Sequence, residues 1–324
     1  MRAVVIDRWL SPEQVQVREI PEPQLRPETL LVEVRAAGCN FYDTLIVEGK
    51  YQLRPSFPFT LGGELAGVVR EVGSQVNGFH PGDRVLAALP YGAFAERVLV
   101  PASAAHVFPE AMSFEEAACF PIAYGTAYLA LAHRAHLATG ETLLVHAAAG
   151  GAGLAAVQIG AALGARVIGT AGGREKCTVV LRAGADLAVD YREEDFVEKV
   201  KGATENRGAD IIFDSVGGEI FDRSLKCLAW EGRLLVIGFA GGRIPELRAN
   251  RVLLKNIAVI GLNWGSYAER APARVTETFA ALFALYERGA LRPLISARYP
   301  LEKVGEALDA LRGRLSVGKL VVTP

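Results

Sequence analysis

Three glycines and one alanine, Gly150-Gly151-Ala152-Gly153, stand where an apolar run gives way to a helical one. Before them lies the β-type run Thr142–Ala147; after them come the helix-type run Leu154–Leu163 and a second β-type run, Arg166–Thr170. Strand, glycine turn, helix and strand in that order are what a dinucleotide pyrophosphate requires. Glycine lets backbone approach the phosphates and lets the helix lie close on the strand, and the helix N-terminus turns free N–H groups and its positive dipole end toward the anion. The expected chemistry is hydride transfer by a bound nicotinamide dinucleotide, with Gly150, Gly151, Ala152 and Gly153 as its phosphate turn.

The second strand selects the cofactor. Units that hold NAD carry an Asp or Glu about 20 residues past the glycines, on the ribose 2′-hydroxyl. Here the strand runs into Thr170-Ala171-Gly172-Gly173 with no carboxylate, and Arg174 and Lys176 follow. Small residues leave room for a 2′-phosphate and the two cations suit its charge. NADPH is therefore expected over NADH.

The remaining sequence must build a frame for that unit. The length of 324 residues suggests two domains. A net charge of −1 gives no long-range attraction to nucleic acid or anionic membrane, and no basic or aromatic stripe marks a nucleic-acid partner. No uninterrupted apolar run is long enough to span a bilayer. The cysteines Cys39, Cys119, Cys177 and Cys227 are isolated, so a reducing, cytoplasmic setting is expected. His133 and His136 stand three apart without a third ligand nearby, and read as surface histidines.

The first hundred or so residues read as β-structure: Leu30–Ala36, Gly67–Val72, Arg84–Ala88 and Glu96–Val100, with a turn at Pro81-Gly82-Asp83. No helix-length pattern interrupts them before Ser113, where Ser113-Phe114-Glu115-Glu116 is a capping box. Strands and helices then alternate. The strands are Thr142–Ala147, Arg166–Thr170, Leu187–Val189, Asp210–Ser215, Arg233–Gly238 and Ile257–Leu262. Helices fill the gaps at Leu154–Leu163, Arg174–Ala183, Asp195–Lys201 and Ile220–Leu228. Apolar strands between helices predict a parallel sheet covered on both faces. Two more helices, Arg274–Arg288 and Leu301–Arg312, and a β-type run at Lys319–Thr323 follow.

Several segments, in order and spacing, carry a family resemblance. They include AAGCNFYDTLIVEGKY (Ala36–Tyr51), LGGELAGVV (Leu61–Val69), AYGTAYLAL (Ala123–Leu131), HAAAGGAGLAAVQI (His146–Ile159), DYREEDF (Asp190–Phe196), DSVGG (Asp214–Gly218) and SVGKLVV (Ser316–Val322). With them the chain resembles the zinc-free quinone oxidoreductases of the medium-chain dehydrogenase/reductase superfamily, the group that includes zeta-crystallin. The resemblance implies an α/β chain: a GroES-like β-rich domain, 1–118 with 266–324, and a Rossmann domain with a doubly wound parallel sheet, 119–265. It implies a nicotinamide cleft between them, and a homodimer or homotetramer paired through edge strands near Asn256–Leu262.

The resemblance also assigns residues. Asn40, Asp43 and Tyr51 would border the cleft, Asn40 hydrogen-bonding cofactor or quinone oxygen and Tyr51 donating to oxygen as charge develops there. Thr126, Gly151 and Ala152 would serve the phosphate turn, and Lys176 and Tyr191, beside Thr170, Gly172 and Arg174, the 2′-phosphate end. Ser215 and Gly238-Phe239-Ala240 would flank the adenosine side, and Leu262-Asn263-Trp264 and Lys319 would close over the nicotinamide half. His146 is read as a strand-end residue and not a base. Zinc members use a Cys and a Gly-His-Glu; this chain has Asn40 and Gly62-Gly63-Glu64, so no metal is expected. The implied activity is quinone reduction by NADPH. Enoyl-thioester or 2-enal reduction on the same scaffold, and a non-catalytic crystallin-like NADPH-binding protein, are the alternatives.

Overall fold

The strand Thr29–Cys39 organises the first half of the chain, because both its faces and both its edges are used. It pairs antiparallel with Glu64–Val72 on one side. On the other side its beginning pairs with Arg97–Pro101 and its end with Lys319–Thr323. The computed structural model describes residues 1–324 and places these strands in one of two units. The first comprises Met1–Ile122, Gly265–Phe283 and Pro293–Pro324; the second, Ala123–Trp264 and Ala284–Arg292.

In the first unit a seven-stranded sheet is completed by Arg84–Ala88, Ala105–Val107 and Ile295–Pro300, and a small three-stranded sheet is built on Arg2–Ile6. Inward residues such as Leu30, Val32, Leu65, Val85, Phe94 and Val322 form its core. One expectation is corrected here. A helix, Phe41–Val47, interrupts the β-rich region well before Ser113. At seven residues it is too short to show a helical period in sequence. Its start is nevertheless marked, since Asp43 Oδ2 accepts the Asn40 backbone N–H at 2.8 Å. The capping box at Ser113 forms as expected, with the Glu116 N–H donated to Ser113 Oγ at 3.2 Å.

The second unit is a six-stranded parallel sheet: Thr142–Val145, Arg166–Ala171, Leu187–Asp190, Ala209–Asp214, Leu228–Val236 and Ala258–Gly261. Numbered in chain order, these lie 3-2-1-4-5-6 across the sheet, the arrangement of dinucleotide-binding units. The helix Gly151–Ala162 is buried from Gly153 to Gly160, which is why it carries no polar face. Residues 284–292 were expected with the first domain but go with this unit. The Gln158 side chain fixes them: its amide donates to the Arg292 carbonyl at 2.8 Å and accepts the Arg292 N–H at 2.9 Å, while Tyr124 donates to the same Gln158 oxygen. No helix is long and apolar enough to cross a membrane.

His106 in the first unit is partly buried, and His146 in the second is buried. Burial lowers His106 from 6.5 to about 4, and lowers His146 to about 3, with Arg223 adding to the latter. Unfolded, both return to about 6.5. The unfolded chain therefore binds more protons below that pH, and stability present above 6.5 is lost as pH falls. At pH 5 the two histidines together should cost about 4 kcal/mol relative to pH 7, at 1.36 kcal/mol per unit. Urea unfolding at the two pH values measures this, and equal midpoints would contradict it.

Candidate active site

In the second unit, three helices begin just past the carboxyl ends of sheet strands: Gly151–Ala162, Arg174–Arg182 and Gly218–Ser224. Their N-caps are Gly150, Gly173 and Gly217, and none receives a side-chain cap. The helix Phe196–Ala203 is different, for Asp195 accepts the Val197 N–H at 2.8 Å. The first amides of a helix have no acceptor within it. At Gly151, Ala152 and Gly153 they are left to an external acceptor, and no acidic side chain stands in that first turn. The strand order reverses between the first and fourth strands, beside this helix start, where such sheets hold their ligands. These orphan donors fit a pyrophosphate.

The turn has a fixed shape. Ala147 is left-handed, with φ 49°. A Cβ on Gly153 would be driven into the Ala147 carbonyl oxygen, so this position requires glycine. His146 precedes the turn and is fully engaged. Ser224 Oγ donates to the Ile220 carbonyl at 2.7 Å and so accepts from His146 Nε2 at 2.8 Å; Thr170 Oγ1 then donates to His146 Nδ1 at 3.0 Å. A neutral imidazole with both nitrogens engaged is not placed to act as a base.

At the end of the second strand, Tyr191 lies against Gly172, its hydroxyl 2.6 Å from where a Cβ would stand. Lys176 is partly buried, and burial, then the neighbouring Arg192, lowers its pKa. Arg192 lies over Gly173, its Nη1 3.4 Å from that residue's Cβ position. The nearby carboxylate, Asp190, is spent on backbone: its Oδ1 accepts the Gly173 N–H at 2.9 Å and the Arg192 N–H at 3.1 Å, and these bonds hold it below the usual carboxylate range. Arg192 was not singled out in the sequence; the only signal was a second cation beside Tyr191. Arg174 is exposed in the first turn of its helix.

Other expected residues are also brought together within this unit. The Ala240 N–H is donated to the Ser215 carbonyl at 3.1 Å, and the Phe239 ring packs on Gly217, near Gly238. Leu262 N–H is donated to the Val236 carbonyl, leading into Asn263 and Trp264. The Trp264 indole lies 2.7 Å from the Cβ position of Gly125, the residue before the buried Thr126.

In the first unit, Asn40, Glu64 and Lys319 form a closed triangle. Lys319 Nζ donates to Glu64 Oε1 at 2.6 Å, Asn40 Oδ1 at 2.8 Å and the Cys39 carbonyl at 2.9 Å, so its three N–H donors meet three oxygens. Asn40 Nδ2 donates to Glu64 Oε1 at 2.8 Å, and Glu64 Oε2 accepts the Ile122 N–H. Burial opposes the lysine's charge, but the Glu64 carboxylate and the two neighbouring cysteines outweigh it and raise its pKa. A chain-borne cation thus sits on the Cys-position residue. The place of the histidine is filled as well, because a Cβ on Gly63 would collide with the Tyr42 hydroxyl.

Asp43 lies beside this triangle, fully buried, with Oδ1 unpartnered. Burial raises it from 3.8 to about 7, against the Asn40 N–H and Lys319, which lower it, and with Glu64, which raises it. The Tyr42 and Tyr51 rings are 5.4 Å apart. Burial raises both phenols, and the Asp43 carboxylate adds to each.

The fold agrees with comparisons to known proteins. A family model described as alcohol dehydrogenase GroES-like domain matches residues 26–110, and one described as zinc-binding dehydrogenase matches 151–284. Quinone oxidoreductase-like protein 2 homolog of Nematostella vectensis is 41% identical over 99% of this chain and 88% of its own length. Human quinone oxidoreductase is 35% identical over 99% of this chain and 97% of its own. The crystal structure of Escherichia coli quinone oxidoreductase complexed with NADPH superposes with a TM-score of 0.94 at 33% identity, covering 100% of both chains. The fold is that of the medium-chain dehydrogenase/reductase superfamily. Within it the chain belongs to the quinone oxidoreductase family, and it is an oxidoreductase.

Proposed function

We propose that this chain catalyses hydride transfer from NADPH to a quinone or similar conjugated carbonyl, without a catalytic metal. The observation that carries this reading is the set of groups at the carboxyl ends of the sheet strands in the second unit. Free first-turn amides follow Gly150, and Lys176 and Arg192 stand together while the one nearby carboxylate, Asp190, is spent on backbone. That set receives a pyrophosphate and a 2′-phosphate and offers nothing to a bare ribose diol. The E. coli relative with the same fold is complexed with NADPH.

Bound NADPH supplies the hydride. Gly151, Ala152 and Gly153 orient the pyrophosphate; Lys176, Arg192 and Tyr191 hold the 2′-phosphate. Tyr51 donates a hydrogen bond to the acceptor oxygen as charge grows there. Asp43, with a pKa of about 7, holds a proton near neutrality for delivery after the hydride. That proton also suits a 2-enal or enoyl thioester, whose reduction begins with the same hydride addition. Lys319 acts through Asn40 and Glu64 as a positioning residue. The chain pairs as a homodimer through the Ala258–Gly261 strand, which has a sheet partner on one side only; Leu253 and Leu254 beside it are 74% and 71% exposed.

Following the nicotinamide absorbance with a quinone, a 2-enal and a crotonyl thioester, each in EDTA, tests the reading. Turnover fastest with the quinone and unaffected by EDTA is expected. NADPH binding without turnover of any acceptor would reject it in favour of a binding protein. Lys176→Ala should weaken NADPH by about 1.5–3 kcal/mol, the worth of a charge-assisted hydrogen bond, and leave NADH nearly unchanged. Equal losses for both cofactors would remove Lys176 from the 2′-phosphate.

A further inference from the structure

Tyr42 is a further hydroxyl beside Asp43 and near Tyr51. It lies on the short helix Phe41–Val47, half-buried, with its ring 5.4 Å from Tyr51. Its hydroxyl occupies the space into which any side chain at position 63 would project. Gly63 is thus glycine for a packing reason, and the hydroxyl is held against backbone, with the Leu89 carbonyl oxygen 3.2 Å from the same Cβ position. No group within the chain accepts its hydrogen. The neighbouring carboxylates do not accept it: Glu64 is taken up by Lys319, Asn40 and Ile122, and Asp43 Oδ1 has no partner. The hydroxyl is not fully buried, so an acceptor from outside the chain can reach it.

We propose that Tyr42 is a second hydrogen-bond donor to the acceptor, its hydroxyl serving the substrate oxygen together with that of Tyr51. This rests on the reading of the first unit as the acceptor site. Tyr42 transfers no proton in this role. Two electrons and a hydrogen pass from the cofactor as hydride, the acceptor oxygen takes its proton from Asp43 or solvent, and the phenol only shares its hydrogen as negative charge develops.

The packing of Tyr42 on Gly63 supplies the test. Tyr42→Phe removes only the hydroxyl and should lower kcat/KM for the quinone about tenfold, leaving NADPH affinity and Tm unchanged. Gly63→Ala should lower both Tm and activity, because its methyl collides with the hydroxyl. The double variant should recover part of the Tm lost in Gly63→Ala, since the methyl takes the hydroxyl's place while the ring carbon that bore it still lies 2.7 Å away; activity stays at the level of Tyr42→Phe. That split, stability partly rescued and activity not, separates a donor from a packing residue. Tyr42→Phe with kcat/KM within twofold of wild type would overturn the inference, as would a double variant that recovers activity along with Tm. Both outcomes leave the quinone reductase reading standing, whereas a wild-type enzyme inactive with every acceptor would remove that reading itself.

Discussion

Gly153→Ala is expected to abolish dinucleotide binding, with Kd raised more than about 100-fold, or roughly 3 kcal/mol. The added methyl points at a backbone oxygen, that of Ala147, which cannot swing aside as a side-chain tip can. Ala147 already sits at φ 49°, a conformation unfavourable for alanine. The turn must therefore open, and its amides leave the phosphate position. Gly150→Ala is the control, for its Cβ would meet only the same oxygen at 3.3 Å, and its φ of −83° is ordinary. That variant should stay within about 1 kcal/mol of wild type in stability. Calorimetric titration with NADPH alongside thermal unfolding distinguishes the two. A Gly153→Ala protein with wild-type affinity would show that the turn plays no part in binding.

Asp43→Asn should stabilise the protein above pH 7 while impairing turnover. A buried carboxyl raised from 3.8 to about 7 is protonated in the folded chain where it would be ionised in the unfolded one. Its contribution is present below 3.8 and lost as pH rises through 7, a cost approaching about 4 kcal/mol at pH 8. Asparagine cannot ionise, and its side-chain oxygen still accepts the Asn40 N–H, so about 2–4 kcal/mol should return. Its own amide nitrogen inherits the unpartnered place of Oδ1, which sets the lower end of that range. Urea unfolding at pH 5 and pH 8 measures the effect: the gain should appear at the higher pH and shrink at the lower. A loss of stability at pH 8 would mean that the ionised carboxylate is satisfied in the folded state. Retention of such a costly group is what an active site explains and a core does not.

Much of this was legible in the sequence wherever the cause is local. The Rossmann strands were readable because each is a short apolar run between helices, and Lys319–Thr323 emerges with the same ends. Four of the second-unit helices are readable too, with Ile220–Leu228 in the sequence being Gly218–Ser224 in the structure, while the short helix Ala249–Lys255 has no expectation in the sequence. Leu228 opens the strand Leu228–Val236, whose pairing with Ala209–Asp214 is irregular near Ala209, so its early part does not read as a regular strand. The stretch Phe120–Arg134 shows no regular helical period in sequence, because π-helical turns at Phe120–Tyr124 and Leu129–Arg134 break the 3.6-residue repeat. At the site, glycine turn and cations could be read, since the turn chemistry sits in consecutive residues. The triangle of Asn40, Glu64 and Lys319 could not, because its members are 24 and 255 residues apart and only the folded sheet joins them. Tyr42 was hidden for the same reason: nothing in sequence says that Gly63 is small to make room for it.

That triangle has a consequence for the order in which the protein can be made. The Cys39 carbonyl and the lysine that binds it are 280 residues apart. At about 5–20 residues per second, synthesis separates them by roughly 15–55 s. Throughout that interval Glu64 has no cation to offset its burial, so the strands around it are held back from closing. The second unit, nearly continuous in sequence, can fold during the wait. The first unit is then a late product, closed when a strand from the far end of the chain carries in its own counter-charge. A metal would make the same closure depend on ion supply. A lysine makes it depend only on synthesis reaching Lys319.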